Sequence, residues 1–368
     1  MADKPEKILR IISPSKVILP IIIGFGIVSY LLYREWNGKA LSMLSFSWFM
    51  LFFIVISFMM MAIRDIGYMI RLRILSEGEI SWKKIFNIIM LWEFASAVTP
   101  SAIGGTTVAA FFIYKEGINL GRSSAIVLAV AFLDELYFLF MFPLLVFAIG
   151  RTALFGVGGG MLNNSSSWLD NKYFYFALSG YLIKFLFEPF LAYGLFINPH
   201  SIKKLLIFIF RLPILRRWKS GAEKTGSDLV IASQVFRKKK IGFWIKAFLA
   251  TLISWTARYW IVNFLLLALI FGLPHVDHSV ILSFYEHIII FARQLVIWIM
   301  LLVMPSPGGS GFAEAVFSDY LREFIPIGFV AILAFLWRLV SYYPYLFMGV
   351  LVLPRWVKRV YSSKTNNE

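Results

Sequence analysis

The sequence predicts an all-α polytopic membrane protein with about six full spans and two re-entrant or broken-helix hairpins, arranged as an inverted repeat. Of its 368 residues, 60% are hydrophobic. They come in runs of about 20, the length that a helix needs to cross a bilayer. No stretch alternates with the period of two that a membrane β-barrel requires. The eight apolar helical segments are 17 to 33, 45 to 63, 84 to 98, 121 to 150, 172 to 197, 241 to 271, 280 to 303 and 326 to 353.

The first apolar segment is predicted to be a retained helix. It has the length of a signal peptide, but no small-residue cleavage site follows it. Residues 1 to 16 before it are basic and are predicted to be a cytoplasmic N-terminus. With the N-terminus inside, most of the 36 Lys and Arg residues fall on the cytoplasmic side. The other cytoplasmic segments are then 64 to 84, 115 to 122, the large basic loop 198 to 240 and the tail 354 to 368.

This orientation requires two segments, 84 to 116 and 280 to 325, to return to the side from which they start. The first arm of the first hairpin, Ile85 to Val98, is too short for a hydrocarbon core of about 30 Å. One hairpin would enter from the cytoplasm and the other from outside. Repeat one, 84 to 150, and repeat two, 280 to 353, are therefore predicted to be inverted within one transmembrane domain, 17 to 353.

Each hairpin contains a similar break. The first is "TPSAIGG", residues 99 to 105, and the second is "MPSPGGSG", residues 304 to 311. Prolines interrupt helices, and a half-helix that starts after the break leaves free N–H groups that favour an anion. The helix breaks are Pro100, Pro305 and Pro307, and the predicted headgroup contacts are Gly104, Gly105, Thr106, Gly308, Gly309 and Ser310.

Ionisable residues inside apolar runs cost about 2.5 to 3.5 kcal/mol each at a helix centre, so they must face the bundle or a wet cavity. Arg258 and Arg338 lie near the middle of long spans. Because the arginine fork matches a phosphate and keeps its charge when desolvated, both are predicted to bind a phosphate or headgroup. The predicted charge partners and proton sites are Asp134, Glu135, Glu314 and Arg293.

Two further features have simpler interpretations. Lys184 and Glu188 are four residues apart, a spacing that favours an ion pair between them. The loop 198 to 240 is predicted to lie on an anionic cytoplasmic leaflet. The chain has no cysteine, which excludes disulfides and thiolate sites, and no cofactor or metal site is predicted. The basic excess of 36 to 20 indicates cytoplasmic loops, not a nucleic-acid partner.

Three stretches resemble a known family: "VTPSAIGGTTVAAFFIYKEGINLGRSSAIVLAVAFLDE", "MPSPGGSGFAEAVF" and "WRLVSYYPYLFMG". Together they are similar to the lysylphosphatidylglycerol synthase transmembrane region family, the flippase-like module of multiple peptide resistance factor proteins, here as a stand-alone member. The resemblance covers residues 17 to 353. Matching positions of the second repeat are Pro305, Pro307, Gly308, Gly309, Gly311, Glu314 and Arg338.

The resemblance implies a multi-pass protein of the bacterial inner membrane, with cytoplasmic termini, that moves a lipid between leaflets. Relatives often have an acidic residue after the first glycine pair and an arginine three residues later, where this sequence has Thr106 and Ala109. A different headgroup from lysylphosphatidylglycerol is therefore expected. The family's soluble aminoacyl-transferring domain is missing, so lipid synthesis is not expected of this chain.

The leading interpretation is a lipid translocator with a cationic midplane cavity. Its expected partners are membrane lipids, either an anionic phospholipid or a lipid-linked headgroup, with a separate lipid-modifying enzyme as a second candidate partner. Two alternatives stay open. One is a proton-coupled carrier of a small anion, with Asp134, Glu135 or Glu188 as the titrating group. The other is a membrane enzyme that acts on a lipid-linked donor.

Overall fold

The computed structural model describes residues 44–98, 102–156, 172–211, 219–273, 282–301, 312–326 and 328–365. Nearly all of these residues are helical, and none of them is in a strand. The predicted all-α membrane class is confirmed. The predicted span at 17 to 33 lies outside the described residues, as do Pro100, Pro305 and Pro307.

The described residues form thirteen helices, and Tyr342 alone separates the last two. They are α1 Trp48–Leu75, α2 Trp82–Val98, α3 Ala102–Lys115, α4 Leu120–Ile149, α5 Arg151–Phe155, α6 Lys172–Phe196, α7 Pro199–Ile209, α8 Lys219–Phe236, α9 Ile241–Phe271, α10 Phe284–Leu301, α11 Phe312–Leu321, α12 Val330–Ser341 and α13 Tyr343–Thr365, with a 3-10 turn at Arg322–Phe324.

Six stretches of the described chain are long and apolar enough to cross a membrane. Five of them match predicted spans: α1, α4, α6, α9 and the joined α12 and α13. The sixth is α10, which was predicted as one arm of a hairpin. The joined stretch is not one straight helix, because Tyr342 breaks it with φ −132° and ψ −56°. Helix α13 also continues to Thr365, through most of the predicted tail.

The predicted cytoplasmic segment at 64 to 84 is partly wrong. Helix α1 continues to Leu75, so Arg64 and Arg71 lie within it and are only 1% and 4% exposed. Hydropathy alone predicts that the span ends at Arg64, the first arginine after the apolar run. Here, however, acidic side chains on neighbouring helices neutralise both arginines inside the bundle.

The turn after α1 lies on one side of the bundle, which we call the first face. Several helices begin or end close to this turn. Glu77 has a φ of 53° and accepts hydrogen bonds from Arg122 at the start of α4 and from Lys239 just before α9. The Lys239 hydrogen bond holds the pKa of Glu77 below its usual value. The first hairpin also opens on this side, because Lys84 Nζ at the start of α2 lies 3.6 Å from Glu116 Oε2 just after α3.

The second hairpin opens on the opposite side, the second face. The Tyr285 hydroxyl at the start of α10 donates to the Ile149 carbonyl at the end of α4, over 3.2 Å. Arg293 of α10 donates to the Ala153 carbonyl at 2.7 Å and pairs with Glu323, which follows α11, at 2.6 Å. Because α4 runs from the first face to the second, the two hairpins enter the bundle from opposite sides.

Each repeat packs its long helix against the hairpin of the other repeat. Helix α13 lies along α2, and α4 contacts α10. The α13 contact is close enough that a Cβ atom added at Gly349 would lie 2.1 Å from Phe94 Cγ. Helix α9 packs along α1 and also contacts α4, α10 and α12.

The predicted basic loop 198 to 240 contains the two helices α7 and α8. They pack against each other, and α8 also packs against α4 and α6. Helix α7 buries Ile202 and leaves Lys204 and Phe208 exposed. This amphipathic pattern agrees with a position at a membrane surface.

Candidate functional site

The guanidinium of Arg258 lies between two aromatic rings near the middle of α9. Its Cζ atom is 4.3 Å from the Trp298 ring centre and 5.7 Å from that of Trp255. Within the part of the chain that the structure describes, Arg258 forms no ion pair and no hydrogen bond. A charge at this depth with only ring contacts has hydrogen-bonding capacity left for an anion.

Arg258 lines a small cleft, which we call the arginine cleft. Gln294 helps to shape it by donating to the Tyr259 carbonyl over 2.6 Å. The cleft is lined as far as Leu301, which is the last described residue before the second glycine motif. The contacts predicted in that motif, Gly308, Gly309 and Ser310, lie outside the described residues. Its lining residues are Arg258, Tyr259, Gln294, Ile297, Trp298, Leu301 and Trp337.

Arg338 follows Trp337 directly and is 6% exposed. Its Cζ atom lies 5.1 Å from the Trp337 ring and 4.9 Å from the Tyr342 ring. The Phe317 ring of α11 stacks on Trp337 at 4.7 Å, which links α12 to the second hairpin. The side chain of Glu314, the predicted partner, lies outside the described residues. Arg338 thus lies next to the arginine cleft, in a buried aromatic setting.

Both hairpins reach the same part of α12. The Tyr342 hydroxyl donates to the Ala97 carbonyl, one residue before α2 ends, over 3.0 Å. At the other hairpin, Leu301 at the end of α10 shares the arginine cleft with Trp337. Five residues of helix span about 7.5 Å, so the described ends of the two hairpins converge on the stretch that carries Arg338.

The first glycine pair lies within α3, which begins at Ala102. Gly104 is the third residue of that helix, so its N–H group belongs to the first turn, which lacks intrahelical acceptors. Gly105 is the fourth residue of the helix. The side chain of Thr106 lies outside the described residues. The predicted headgroup contacts at Gly104, Gly105 and Thr106 stay predictions.

Asp134 lines a second opening of about 70 Å³, which we call the paired-charge cleft. Its carboxylate lies 2.5 Å from Arg71 and accepts a 2.7 Å hydrogen bond from Trp255 Nε1. Arg71 also donates to Thr251 Oγ1 at 3.2 Å. The cleft is lined by Tyr68, Arg71, Leu72, Ile89, Trp92, Glu93, Val130 and Asp134.

Arg64 extends this charge network about two helical turns further along α1. Its guanidinium pairs with Glu93 at 2.6 Å and Asp65 at 2.8 Å and donates to the Tyr345 hydroxyl at 2.9 Å. The Tyr68 ring lies between two cations, 4.4 Å from Arg64 Cζ and 4.6 Å from Arg71 Cζ. Both cations are neutralised by carboxylates.

No site role was predicted for Arg64, Asp65 or Arg71. One available signal was their spacing, because residues 64, 68 and 71 fall on one face of a continuing helix. Another was that Glu93 and Asp134, inside spans, need cationic partners.

Trp255 separates the two clefts. Its indole N–H donates to Asp134 in the paired-charge cleft, while its ring lies 5.4 Å from that of Trp298 in the arginine cleft. The side chain therefore connects a neutralised carboxylate to the aromatic wall around Arg258. A change in the pairing of Asp134 is therefore expected to alter the position of the Trp255 ring beside Arg258.

Two other predicted residues lie away from both clefts. Glu135 accepts hydrogen bonds from Lys184 at 2.8 and 2.6 Å, so Lys184 does not form the predicted pair with Glu188. Asp134 and Glu135 thus have different partners, because adjacent helical residues point about 100° apart. Arg293 is occupied on the second face by the Ala153 carbonyl and Glu323.

Comparison with known proteins gives two matches. A family model described as the lysylphosphatidylglycerol synthase TM region matches residues 17–349. A UPF0104 membrane protein of Archaeoglobus fulgidus is 26% identical over 309 residues, covering 81% of this chain and 84% of the relative. No solved structure matches.

Proposed function

This chain belongs to the lysylphosphatidylglycerol synthase transmembrane region family, and we propose that it moves a phosphate-bearing lipid between leaflets by way of the arginine cleft. The proposal depends above all on one observation. Arg258 is a mid-span cation that opens into a cleft and has no acidic partner among the described residues. In the proposed complex, the lipid phosphate accepts hydrogen bonds from Arg258, with Arg338 nearby.

The lining of the cleft favours a lipid over a small water-soluble anion. Arg258, Tyr259 and Gln294 are polar, whereas the remaining lining side chains are aliphatic or indole groups. Such a lining suits a molecule that has both a charged headgroup and an apolar body. Arginine binds phosphate through two parallel hydrogen bonds, which also fixes the orientation of the headgroup.

The inverted hairpins support movement across the membrane. They enter from opposite faces, and their described ends converge on α12 beside Arg338. Inverted repeats with discontinuous helices commonly place a binding site near the midplane and expose it to each side in turn. We assign the first face to the cytoplasm of a bacterial cell because basic residues such as Arg122 and Lys239 gather there.

The test is a leaflet-accessibility assay in vesicles that contain the purified protein and a labelled anionic phospholipid. Replacing Arg258 with glutamine is expected to slow transfer about ten- to a hundredfold, because a hydrogen bond to a charged group contributes about 1.5–3 kcal/mol. Arg258→Lys should retain part of the rate, since it keeps the charge but loses the fork. Arg237→Gln, at an exposed arginine that follows α8, is the matched control and should transfer lipid at the wild-type rate.

A second arm separates a lipid from a free anion. Vesicles loaded with labelled inorganic phosphate should retain it while lipid transfer proceeds. Loss of phosphate with no lipid transfer would instead identify a small-anion carrier. Equal lipid transfer by wild type, Arg258→Gln and empty vesicles would contradict the proposal.

A further inference from the structure

Helix α6 carries two ionisable side chains one turn apart, and both are buried. Lys184 is 5% exposed and Glu188 is 2% exposed. The Lys184 ammonium donates to both oxygens of Glu135 on α4, over 2.8 and 2.6 Å, and lies 4.4 Å from the Phe138 ring. The Lys184 ammonium therefore forms its ion pair with Glu135.

Glu188 is left without a partner among the described residues. Neither of its carboxyl oxygens has a hydrogen bond, and no described cation forms an ion pair with it. The charged groups that act on it are Glu135 and Lys184.

The other helices packed on α6 are α7, α8 and α10, and no ionisable group on their described residues forms a hydrogen bond or an ion pair with Glu188. On α7, the stem of Lys203 lies against Gly226, and His200 and Lys204 are exposed. On α8, Lys219 pairs with Glu223, and Asp228 lies near Lys224 and Ser124. On α10, Glu286 hydrogen-bonds Ser283, His287 hydrogen-bonds Asn263, and Arg293 pairs with Glu323.

Two carboxyl groups thus lie near one ammonium, which forms hydrogen bonds with Glu135 alone among the described residues. If both were ionised, a net negative charge would remain inside the bundle, and an unpaired buried carboxylate is very costly. We propose that Glu188 is a proton-binding site, which holds one proton while Lys184 pairs with Glu135. If the ammonium moves to Glu188, the Glu188 O–H bond breaks, its proton leaves to water, and Glu135 takes up a proton in turn.

This site is distinct from the arginine cleft and would bind its proton whether or not that cleft carries a phosphate. The side chains around Glu188 on the outer side of α6 are apolar and exposed: Phe185 is 48%, Leu186 71% and Phe187 45% exposed. These residues form an apolar surface on the helix that carries Glu188, where an apolar reagent dissolved in the bilayer can collect.

Labelling with dicyclohexylcarbodiimide tests the proposal, because this apolar reagent adds to protonated carboxyl groups in membranes. Peptide mass spectrometry of the treated wild-type protein at neutral pH should show the adduct on Glu188 and none on Glu135. The labelling rate should fall as the pH is raised. In Lys184→Met, which removes the ammonium, Glu135 should also be labelled, since it then needs a proton of its own.

Two variants keep the test decisive if labelling is weak. Glu188→Gln resembles the protonated acid and should leave the Tm in detergent unchanged, whereas Glu135→Gln should lower it because Lys184 then loses its partner. The proposal is overturned by equal labelling of Glu135 and Glu188 in the wild type. It is also overturned by a Glu188→Gln variant that loses as much Tm as Glu135→Gln.

Discussion

Replacing Arg64 with methionine is expected to lower the free energy of unfolding by about 3–5 kcal/mol, the usual cost of removing one partner from a buried ion pair. Arg64 is 1% exposed, and its loss leaves Glu93 and Asp65 facing each other without a cation. The Tyr345 hydroxyl would also lose a donor. The measurement is denaturant unfolding of the purified protein in detergent.

Arg122→Met is the matched control for this measurement. Arg122 also pairs with two carboxylates, Glu77 at 3.1 Å and Glu79 at 2.5 Å, but its side chain is 20% exposed at the first face. Surface pairs of this kind contribute about 0–1 kcal/mol. If the two variants lost the same stability, the Arg64 network would not be the buried element that we describe.

Replacing Asp134 with asparagine is the second change with a large expected effect, again about 3–5 kcal/mol. Arg71 is 4% exposed and would keep its charge without the carboxylate that neutralises it. The amide oxygen can still accept from Arg71 and Trp255 at the Oδ1 position, but the NH₂ group then takes the place of Oδ2 and faces Arg71 Nη2, which leaves two donors facing each other. Lipid transfer should fall as well, because Trp255 forms part of the wall beside Arg258.

The double variant Asp134→Asn with Arg71→Met distinguishes charge pairing from general damage to the helix contact. It removes the unpaired cation, so most of the stability lost in Asp134→Asn should return. Additive losses in the two single variants and the double variant would show that the two side chains are not coupled. Unfolding curves of the four proteins form the complete cycle.

Charge and helix length in the sequence were sufficient to predict the inverted hairpins. The count of basic residues required both hairpins to return, and the contacts of Glu116 with Lys84 and of Arg293 with Glu323 place their open ends on opposite faces. Arg258 could be chosen as a site residue because it lies far from either end of α9. These features depend on the local sequence and on the cost of burying charge.

Other features depend on pairing between distant parts of the chain and could not be predicted from the sequence. Helix α1 was predicted to end at residue 63, because the sequence gives no direct sign that Arg64 and Arg71 meet Glu93 and Asp134 on other helices. The separation of two clefts by Trp255 likewise depends on contacts between residues over a hundred positions apart. The preference of Lys184 for Glu135 over Glu188, four residues away, has the same origin.

The most direct test of the central claim is to map where a lipid phosphate binds. A phospholipid with a photoreactive group next to its phosphate is irradiated in vesicles with the wild-type protein and with Arg258→Gln, and the adducts are located by peptide mass spectrometry. The wild type should carry adducts on Trp298, Leu301 or Trp337, and Arg258→Gln should lose them. Adducts confined to lipid-facing side chains such as Phe147, which is 94% exposed, or unchanged in Arg258→Gln, would contradict the account.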